Sequence, residues 1–489
     1  MLFTKLMARV AGARLVGDAD GVDIEGLCAD SKTVTQGVLF FCINGEHKDG
    51  TRFAGEAVKR GAVAIVAEKE VEVNVPQIIV EDAREAMSLI ACAYYGDPSE
   101  RLKLIAITGT NGKTTTAHML ASILRTSGKK VGVIGTLGAN FDGKTEKLDL
   151  TTPDPICLQK TLCKMSALGA EYVVFEASAH ALWFRKLAGV RLCACVFTNL
   201  TQDHLDFFDS MQTYKEAKSR LFADNVCPIA IINGDDTVGR EFGGMRTGET
   251  LYYGLKTPTD AFAVITEETL YKTTCVFNIQ DKLCRASLSL TGRHNVYNAL
   301  GASLCALRLG ASTEAVSLGL SAMKSVKGRL ERVISISGAE IFVDFAHTPD
   351  GLEKSLDALQ EHCKGKLVCV FGCGGNRDKS KRAIMGETVA KRCDFAVLTS
   401  DNPRYEDPLD IITEIERGYR RFSQQYVVVP ERERAIRYAI DFLSEKDILI
   451  VAGKGGEETQ EIMGIKYPFN DNAIIKKICK EKEVQTRPF

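Results

Sequence analysis

The chain lacks every feature that would remove it from the ordinary globular class. No apolar run approaches the roughly 18 residues that span a bilayer. Its first residues, Met1-Leu2-Phe3-Thr4-Lys5, do not show the charged-then-apolar pattern of a secretory leader. A cytoplasmic protein without membrane attachment is expected. Charge excess of either sign is also missing, with 62 Lys and Arg against 63 Asp and Glu. That excludes a generally basic nucleic-acid binder, although a local basic site remains compatible with it. None of the 16 Cys stands at C-x-x-C spacing, and Cys193 and Cys195 are the nearest pair. They read as reduced, mostly buried thiols, not as disulfide staples or a zinc site. Internal repeats and low-complexity segments are absent.

What is present is enough chain, 489 residues, for about three domains at ~150 residues each. Hydrophobic residues at 45% and charged residues at 26% argue against long disordered tracts. The breaker cluster Gly96-Asp97-Pro98-Ser99 and the turn Lys327-Gly328-Arg329 are natural boundaries. They divide the chain into 1–98, 99–331 and 332–489. In the first third, Phe40 to Ile43 and Ala62 to Ala67 are short apolar runs beside turn signals. In the middle third, Leu102 to Ile107, Tyr172 to Phe175, Cys193 to Phe197 and Ile229 to Ile232 end in polar loops. The last third repeats this pattern at Leu367 to Phe371, Phe395 to Leu398 and Ile448 to Ala452. Buried runs between helical segments predict an α/β fold with largely parallel sheets. Ligands bind at the carboxyl ends of such strands, so the last third is expected to hold a small molecule.

The strongest local signal is Gly109-Thr110-Asn111-Gly112-Lys113-Thr114, between the run ending at Ile107 and a helical segment. Glycines let successive N–H groups face an anion, and the helix start adds positive potential. Lys113 can then reach β/γ-phosphates and the Thr114 hydroxyl can ligate Mg²⁺. The longer G-x-x-x-x-G-K-[ST] form is not matched, because Ile107 stands where its first Gly belongs. A bare glycine turn is the competing reading, and the order strand, Gly-Lys-Thr, helix favours ATP.

Glu176 follows the run Tyr172 to Phe175, where a second Mg²⁺ ligand is wanted, yet a lone Glu is often only a solvated loop residue. Three of the seven His, namely His180, His204 and His347, lie in loops after strands. Each alone is commonly a hydrogen-bonded structural residue. Lys218 falls in a helical segment, Tyr214 to Phe222, and composition alone reads it as a solvent-facing lysine.

Together the motifs resemble the Mur ligases, and within them the branch that adds the third peptide residue. The likeness starts at Asp30-Ser31-Lys32 and continues through GTNGKTTT (109–116), TTPDP (151–155), EASAHAL (176–182), TNLTQDHLDFF (198–208) and YKEAKSRLF (214–222). It proceeds through GRHNVYNAL (292–300), GRLERV (328–333), VDFAHTPDGLEKSL (343–356), GCGGNRDKSKR (372–382), DNPR (401–404) and AGKGGEE (452–458). The resemblance implies three domains: an N-terminal UDP-binding α/β domain, a central P-loop ATPase domain with a mostly parallel sheet, and a C-terminal Rossmann-like domain. It implies that a carboxylate of UDP-MurNAc-L-Ala-D-Glu attacks ATP to form an acyl phosphate. An incoming amine then displaces phosphate, in the service of peptidoglycan synthesis. Two anions must meet, so cations and aligned donors are needed.

By the same likeness, Gly109 to Thr115, including Thr110, Asn111, Gly112 and Thr115, cradle ATP, with Asn295, Arg329, Asp344 and His347 as further ATP contacts. Lys113, Glu176, His204 and Lys218 form the catalytic set. Mg²⁺ is expected on Thr114, Glu176, His204 and Lys218, the last as a carbamate. Ser31, Thr151, Thr152 and Ser178 match positions on the sugar-peptide. At the place of a family arginine for that substrate stands Lys186, with Arg185 one residue earlier. A lysine cannot form a guanidinium fork, so either Arg185 turns in or the contact is weaker.

Arg377, Asp401, Asn402, Arg404, Gly453 and Glu457 match the amino-acid pocket. An intact DNPR implies meso-diaminopimelate, because a guanidinium binds the distal carboxylate that lysine lacks. A surface arginine in a Pro turn is the plain alternative for Arg404. Gly456 replaces a family histidine, and Ala179 replaces a hydroxyl residue. The same chemistry with L-lysine or another amine or acceptor stays open, as does a nucleotide-binding protein without catalysis. DNPR and Asp30-Ser31-Lys32 speak against a folylpolyglutamate synthetase. Small-molecule substrates, no nucleic-acid or membrane partner and a monomer complete the expectation.

Overall fold

The computed structural model describes residues 1–45 and 49–485. They fall into two compact units. Met1–Thr108, Lys129–Cys195 and Ala217–Ile229 form one, and Gly109–Gly128, Val196–Glu216 and the chain from Ala230 onward form the other.

The first unit begins with a five-stranded sheet in the order Arg14–Val16, Gln77–Ile79, Ala62–Ala67, Val38–Phe41, Gly26–Cys28. Only the Arg14–Val16 edge is antiparallel. Val38–Phe41 is buried throughout and Ala62–Ala67 nearly so, because apolar clusters cover both faces. The helix Ala83–Tyr94 starts where Asp82 accepts from the N–H groups of Arg84 and Glu85, a side-chain cap for otherwise orphan donors. Further along, Lys103–Thr108 and Val131–Gly135 flank Tyr172–Glu176, all parallel. Gly138–Phe141 and Lys144–Glu146 extend this arrangement as an antiparallel pair.

In the second unit the helix Lys113–Thr126 packs against Arg293–Arg308 and Thr313–Ala322. A Cβ on Gly319 would lie 2.6 Å from the Ile123 Cα, so glycine is what permits this close crossing. Glu249–Gly254 pairs in parallel with Ala261–Thr269, which opens an antiparallel meander through Lys272–Ile279 and Lys282–Leu288. The C-terminal sheet runs Glu331–Ile336, Ala339–Asp344, Ile448–Ala452, Leu367–Phe371, Phe395–Leu398, Tyr426–Val428. Its first strand is antiparallel and the rest are parallel, with an apolar cluster on each face.

The α/β expectation is met, and the apolar runs of the last third become strands at the residues expected. The meander is the element the apolar runs did not announce. Its first strand holds the apolar run Ala261 to Ile265, but there exposed positions alternate with less exposed ones, unlike the fully buried runs of the parallel sheets. Among the described residues no helix is long and apolar enough to cross a membrane. All 16 Cys are free thiols.

Candidate active site

The loop after Lys103–Thr108 turns on two glycines in left-handed geometry, Gly109 (φ 146°) and Gly112 (φ 86°). Space forbids a side chain as well. A Cβ on Gly109 would sit 1.9 Å from Thr198 Oγ1, and one on Gly112 2.3 Å from Asn298 Oδ1. The segment Thr198-Asn199 braces the loop: Thr110 N donates to Asn199 O (2.9 Å), Asn111 N to Asn199 Oδ1 (2.9 Å) and Thr198 Oγ1 to Asn111 O (2.6 Å). Lys113 folds back so that Nζ donates to the carbonyls of Gly109 (2.9 Å) and Thr110 (2.8 Å). Thr110 Oγ1 lies 3.2 Å from the Tyr214 hydroxyl, a phenol that burial pushes well up. Thr114 and Thr115 are buried in the first helical turn. Asn295, also buried, donates to Thr291 O and receives a 3.3 Å bond from Asn298.

Residues distant in sequence converge on this loop within the same unit. Arg329 Nη2 donates to Thr114 Oγ1 at 2.8 Å, and its guanidinium lies 4.3 Å over the Phe345 ring. Asn111 Nδ2 donates to Asp350 (2.7 Å), which also pairs with Lys354 (2.8 Å). Asp344, at the end of its strand, accepts from Leu330 N, Ala346 N and Ser355 Oγ. Burial raises its carboxyl despite those bonds.

Asp203 is the centre of a second cluster. Lys381 Nζ lies 3.0 Å away, His204 Nε2 3.4 Å and His347 Nε2 3.7 Å. The His347 Nδ1 is bound to Phe345 O at 2.7 Å, which aims the opposite nitrogen toward Asp203. Burial alone would raise the Asp203 carboxyl. The His347 bond and the charges of Lys381, His204 and His347 outweigh it and hold that carboxyl well below the usual range.

In the first unit, Glu176 is the last residue of its strand and 2% exposed, not a solvated loop residue. Thr136 donates to it twice, N–H to Oε1 (2.8 Å) and hydroxyl to Oε2 (3.2 Å). Hydroxyls gather around it. Thr136 Oγ1 is 3.3 Å from Thr151 Oγ1, Thr152 Oγ1 donates to Glu176 O (2.7 Å), and Ser178 N donates to Thr152 Oγ1 (2.9 Å). Lys186 Nζ reaches Thr152 O at 3.3 Å, with burial lowering its ammonium. Arg185 is occupied elsewhere: it pairs with Glu85 and lies 3.7 Å from Asp82. Ser31, buried in the turn that Asp30 caps by accepting from Lys32 N, bonds Glu56 instead of joining this network.

Lys218 corrects the compositional expectation. It lies in the helix Met211–Ser219 and is 1% exposed, so its amine is fully buried and not solvent-facing.

The oxygen donors gathered at Glu176 in the first unit suit a magnesium ion. The Glu176 carboxylate occupies the space a Gly135 side chain would fill, since a Cβ there would meet Oε1 at 2.1 Å. Carboxylate and hydroxyl oxygens are the hard ligands magnesium prefers.

The C-terminal strand-end loops meet in the second unit. Asn402 Nδ2 donates to Glu457 Oε2 (3.0 Å), and the fully buried Lys454 Nζ bonds Asn402 Oδ1 (2.9 Å) and Glu457 (2.8 Å). Asp401 Oδ1 caps Asn402 N, and Gly453 (φ 113°) leaves room for its other oxygen. Arg404 is not the plain surface arginine of a Pro turn. Its side chain is 19% exposed, with Nη1 on Gly375 O (2.8 Å) and Nε 3.2 Å from Glu461. Arg377 is half exposed, 4.0 Å from Asp206.

Sequence reading did not single out Thr136, Asp203, Asp350, Lys381 or Glu461. Asp203 and Lys381 lie inside the quoted family stretches, and their pairing across 178 positions is invisible before folding. Nothing marked Glu461 at all.

A glycine loop joining a buried parallel strand to a helix, with charged strand-end loops in a C-terminal α/β layer, defines a phosphate-loop α/β enzyme. Three family models match in order: the Mur ligase family catalytic domain over residues 23–95, the Mur ligase middle domain over 107–306, and the Mur ligase glutamate ligase domain over 328–455. The UDP-N-acetylmuramoyl-L-alanyl-D-glutamate–2,6-diaminopimelate ligase of Geobacillus thermodenitrificans is 41% identical over 467 residues, covering 94% of this chain and 96% of that protein. The ligase of the same name from Aquifex aeolicus is 40% identical, covering 93% of each. A solved structure with that name superposes with a TM-score of 0.66 at 29% identity, covering 94% of this chain and 95% of the other. The chain belongs to the Mur ligase family and is an ATP-dependent ligase.

Proposed function

We propose that the protein joins meso-diaminopimelate to UDP-MurNAc-L-Ala-D-Glu, splitting ATP to ADP and phosphate through an acyl phosphate, as a step of peptidoglycan synthesis. The observation that carries this reading is Arg404. Its guanidinium is oriented by Gly375 O and Glu461, and its Nη2 has no protein acceptor among the described residues. That donor suits the distal carboxylate by which diaminopimelate differs from lysine. Arg377 supplies a second cation, and Glu457 offers a carboxylate to an ammonium.

At the nucleotide end, Lys113 leaves its loop carbonyls for the β/γ-phosphates and offsets the repulsion between γ-phosphate and attacking carboxylate. Gly109 to Thr115 supply backbone donors; Asn295, Arg329, Asp344 and His347 serve the rest of ATP. Thr114, Glu176, His204 and Lys218, the last as a carbamate, are the residues that by family likeness would hold magnesium. The bound cation supplies charge neutralisation for phosphoryl transfer. Ser31, Thr151, Thr152, Ser178 and Lys186 receive the acceptor, with Lys186 in place of a guanidinium. The engaged Arg185 is held to Glu85, which supports Lys186 as the substrate contact.

The three functional parts divide near residues 98 and 331, and the enzyme acts as a cytoplasmic monomer on small molecules. Phosphate release with UDP-MurNAc-L-Ala-D-Glu, tested against meso-diaminopimelate, L-lysine and L-ornithine, decides the reading. Release dependent on both acceptor and diaminopimelate is expected. Release with lysine alone overturns the amino-acid assignment, and no release with any amine overturns the ligase reading.

A further inference from the structure

The two-stranded hairpin Thr459–Ile462 and Ile465–Pro468 is stitched to the DNPR loop. Arg404 N donates to Glu461 O (3.1 Å), Met463 N to Arg404 O (2.7 Å) and Glu461 N to Asn402 Oδ1 (3.0 Å). Gln460 Nε2 adds a bond to Asp401 O at 2.6 Å. These bonds hold Arg404 at φ 52°, a left-handed conformation that a non-glycine residue keeps only when its surroundings enforce it. The same register sets the Glu461 carboxylate beside Arg404 Nε, with its Oε2 3.2 Å away. Its Oε1 has no donor among the described residues. Desolvation of its inner half and the charge of Arg404 lower the Arg377 guanidinium, while Asp206 and Glu461 oppose that shift. Glu461 thus lies within the field of both cations.

We infer that Glu461 is a specificity-determining residue of the amino-acid pocket, aligning Arg404 for a distal carboxylate and accepting the distal ammonium of the same substrate carbon. The inference rests on the proposed reading and deepens it. A substrate end bearing only a carboxylate meets Arg404 favourably but is repelled by Glu461. An end bearing only an ammonium reverses both signs. A zwitterionic end satisfies both at once, so the pair rejects each half-substrate by an unmatched charge.

The test uses the full-length enzyme, UDP-MurNAc-L-Ala-D-Glu, ATP and three amines: meso-diaminopimelate, L-lysine and L-2-aminopimelate, which has the distal carboxylate without the ammonium. Glu461→Gln keeps an acceptor for Arg404 Nε and removes the charge. Its kcat/KM preference for diaminopimelate over 2-aminopimelate is expected to fall about tenfold, the scale of one charge-assisted bond. Half-saturation by ATP should not move. Glu461→Asp, which retains the charge, should keep part of the preference. An unchanged preference in Glu461→Gln overturns the inference while the diaminopimelate reading stands. An equal loss with all amines, or loss of folding in Glu461→Gln together with no preference change in Glu461→Asp, also overturns it, because a hairpin brace alone explains those results. A wild-type enzyme that favours lysine fails at the substrate reading itself.

Discussion

Thr136 holds Glu176 by both of its donors, the N–H at 2.8 Å and the hydroxyl at 3.2 Å, one on each carboxylate oxygen. The carboxylate is therefore aimed before any ligand arrives, and Gly135 makes the room. Gly135→Ala should displace it: activity falls, the magnesium concentration for half-maximal rate rises, and thermal stability changes less than activity. Titration of initial rates against magnesium checks this, and an unchanged half-maximal concentration removes Glu176 from the ligand set.

Lys113 Nζ bonds the loop carbonyls of Gly109 and Thr110, short-range contacts whose loss should spare the helix it begins. Lys113→Ala is expected to cut turnover by about 10²–10³-fold, as removal of one phosphate-directed cation does. Near-normal turnover in a folded variant means that the glycine loop does not serve phosphate.

Lys218 is 1% exposed, and the family likeness gives it a carbamate. Lys218→Ala should be nearly inactive and regain rate with added acetate or formate, which return a carboxylate to the vacated place. Full activity without additives, or inactivity with every short carboxylate tried in a folded variant, refutes the role.

Arg404→Lys should weaken diaminopimelate use by ~1–3 kcal/mol, because an ammonium cannot reproduce the guanidinium fork. Competition between diaminopimelate and lysine measures it, and an unaltered ratio shows that Arg404 does not read the distal end.

A purely structural pair offers a pH test. Arg382, fully buried, grips both oxygens of Glu406 at 2.9 and 3.0 Å. The Arg382 bond is the main reason the Glu406 carboxyl drops from 4.5 to about 2. A folded value below the unfolded one means stabilisation present above pH 4.5 and lost as pH falls toward 2. Glu406→Gln should lower stability at neutral pH and flatten the acid limb of the stability curve over that window. Parallel slopes for the two proteins in denaturant titrations across it contradict the assignment.

Strands flanked by glycine turns were legible because parallel sheets bury both faces and leave continuous apolar runs, as in Ile448–Ala452. The meander from Ala261 to Leu288 was not, since even its apolar run Ala261 to Ile265 is only partly buried and the neighbouring strands mix polar with apolar residues. Glu176, His204 and Arg404 were found by motif, but their environments were not. Composition read Lys218 as exposed and allowed Arg404 to be, and neither is.

The order of residues along the chain was enough to establish the phosphate loop, the family and the chemical type of each candidate group. Glycine spacing, a lysine and a strand-end carboxylate are local facts, and chemistry of this kind is written in adjacent positions. Folding alone decided which charged and polar groups face one another: Lys381 on Asp203, Arg329 on the Thr114 hydroxyl, Glu461 on Arg404. Coulomb energy depends on distance through space and on exclusion of water, and neither exists until strands far apart in sequence lie side by side.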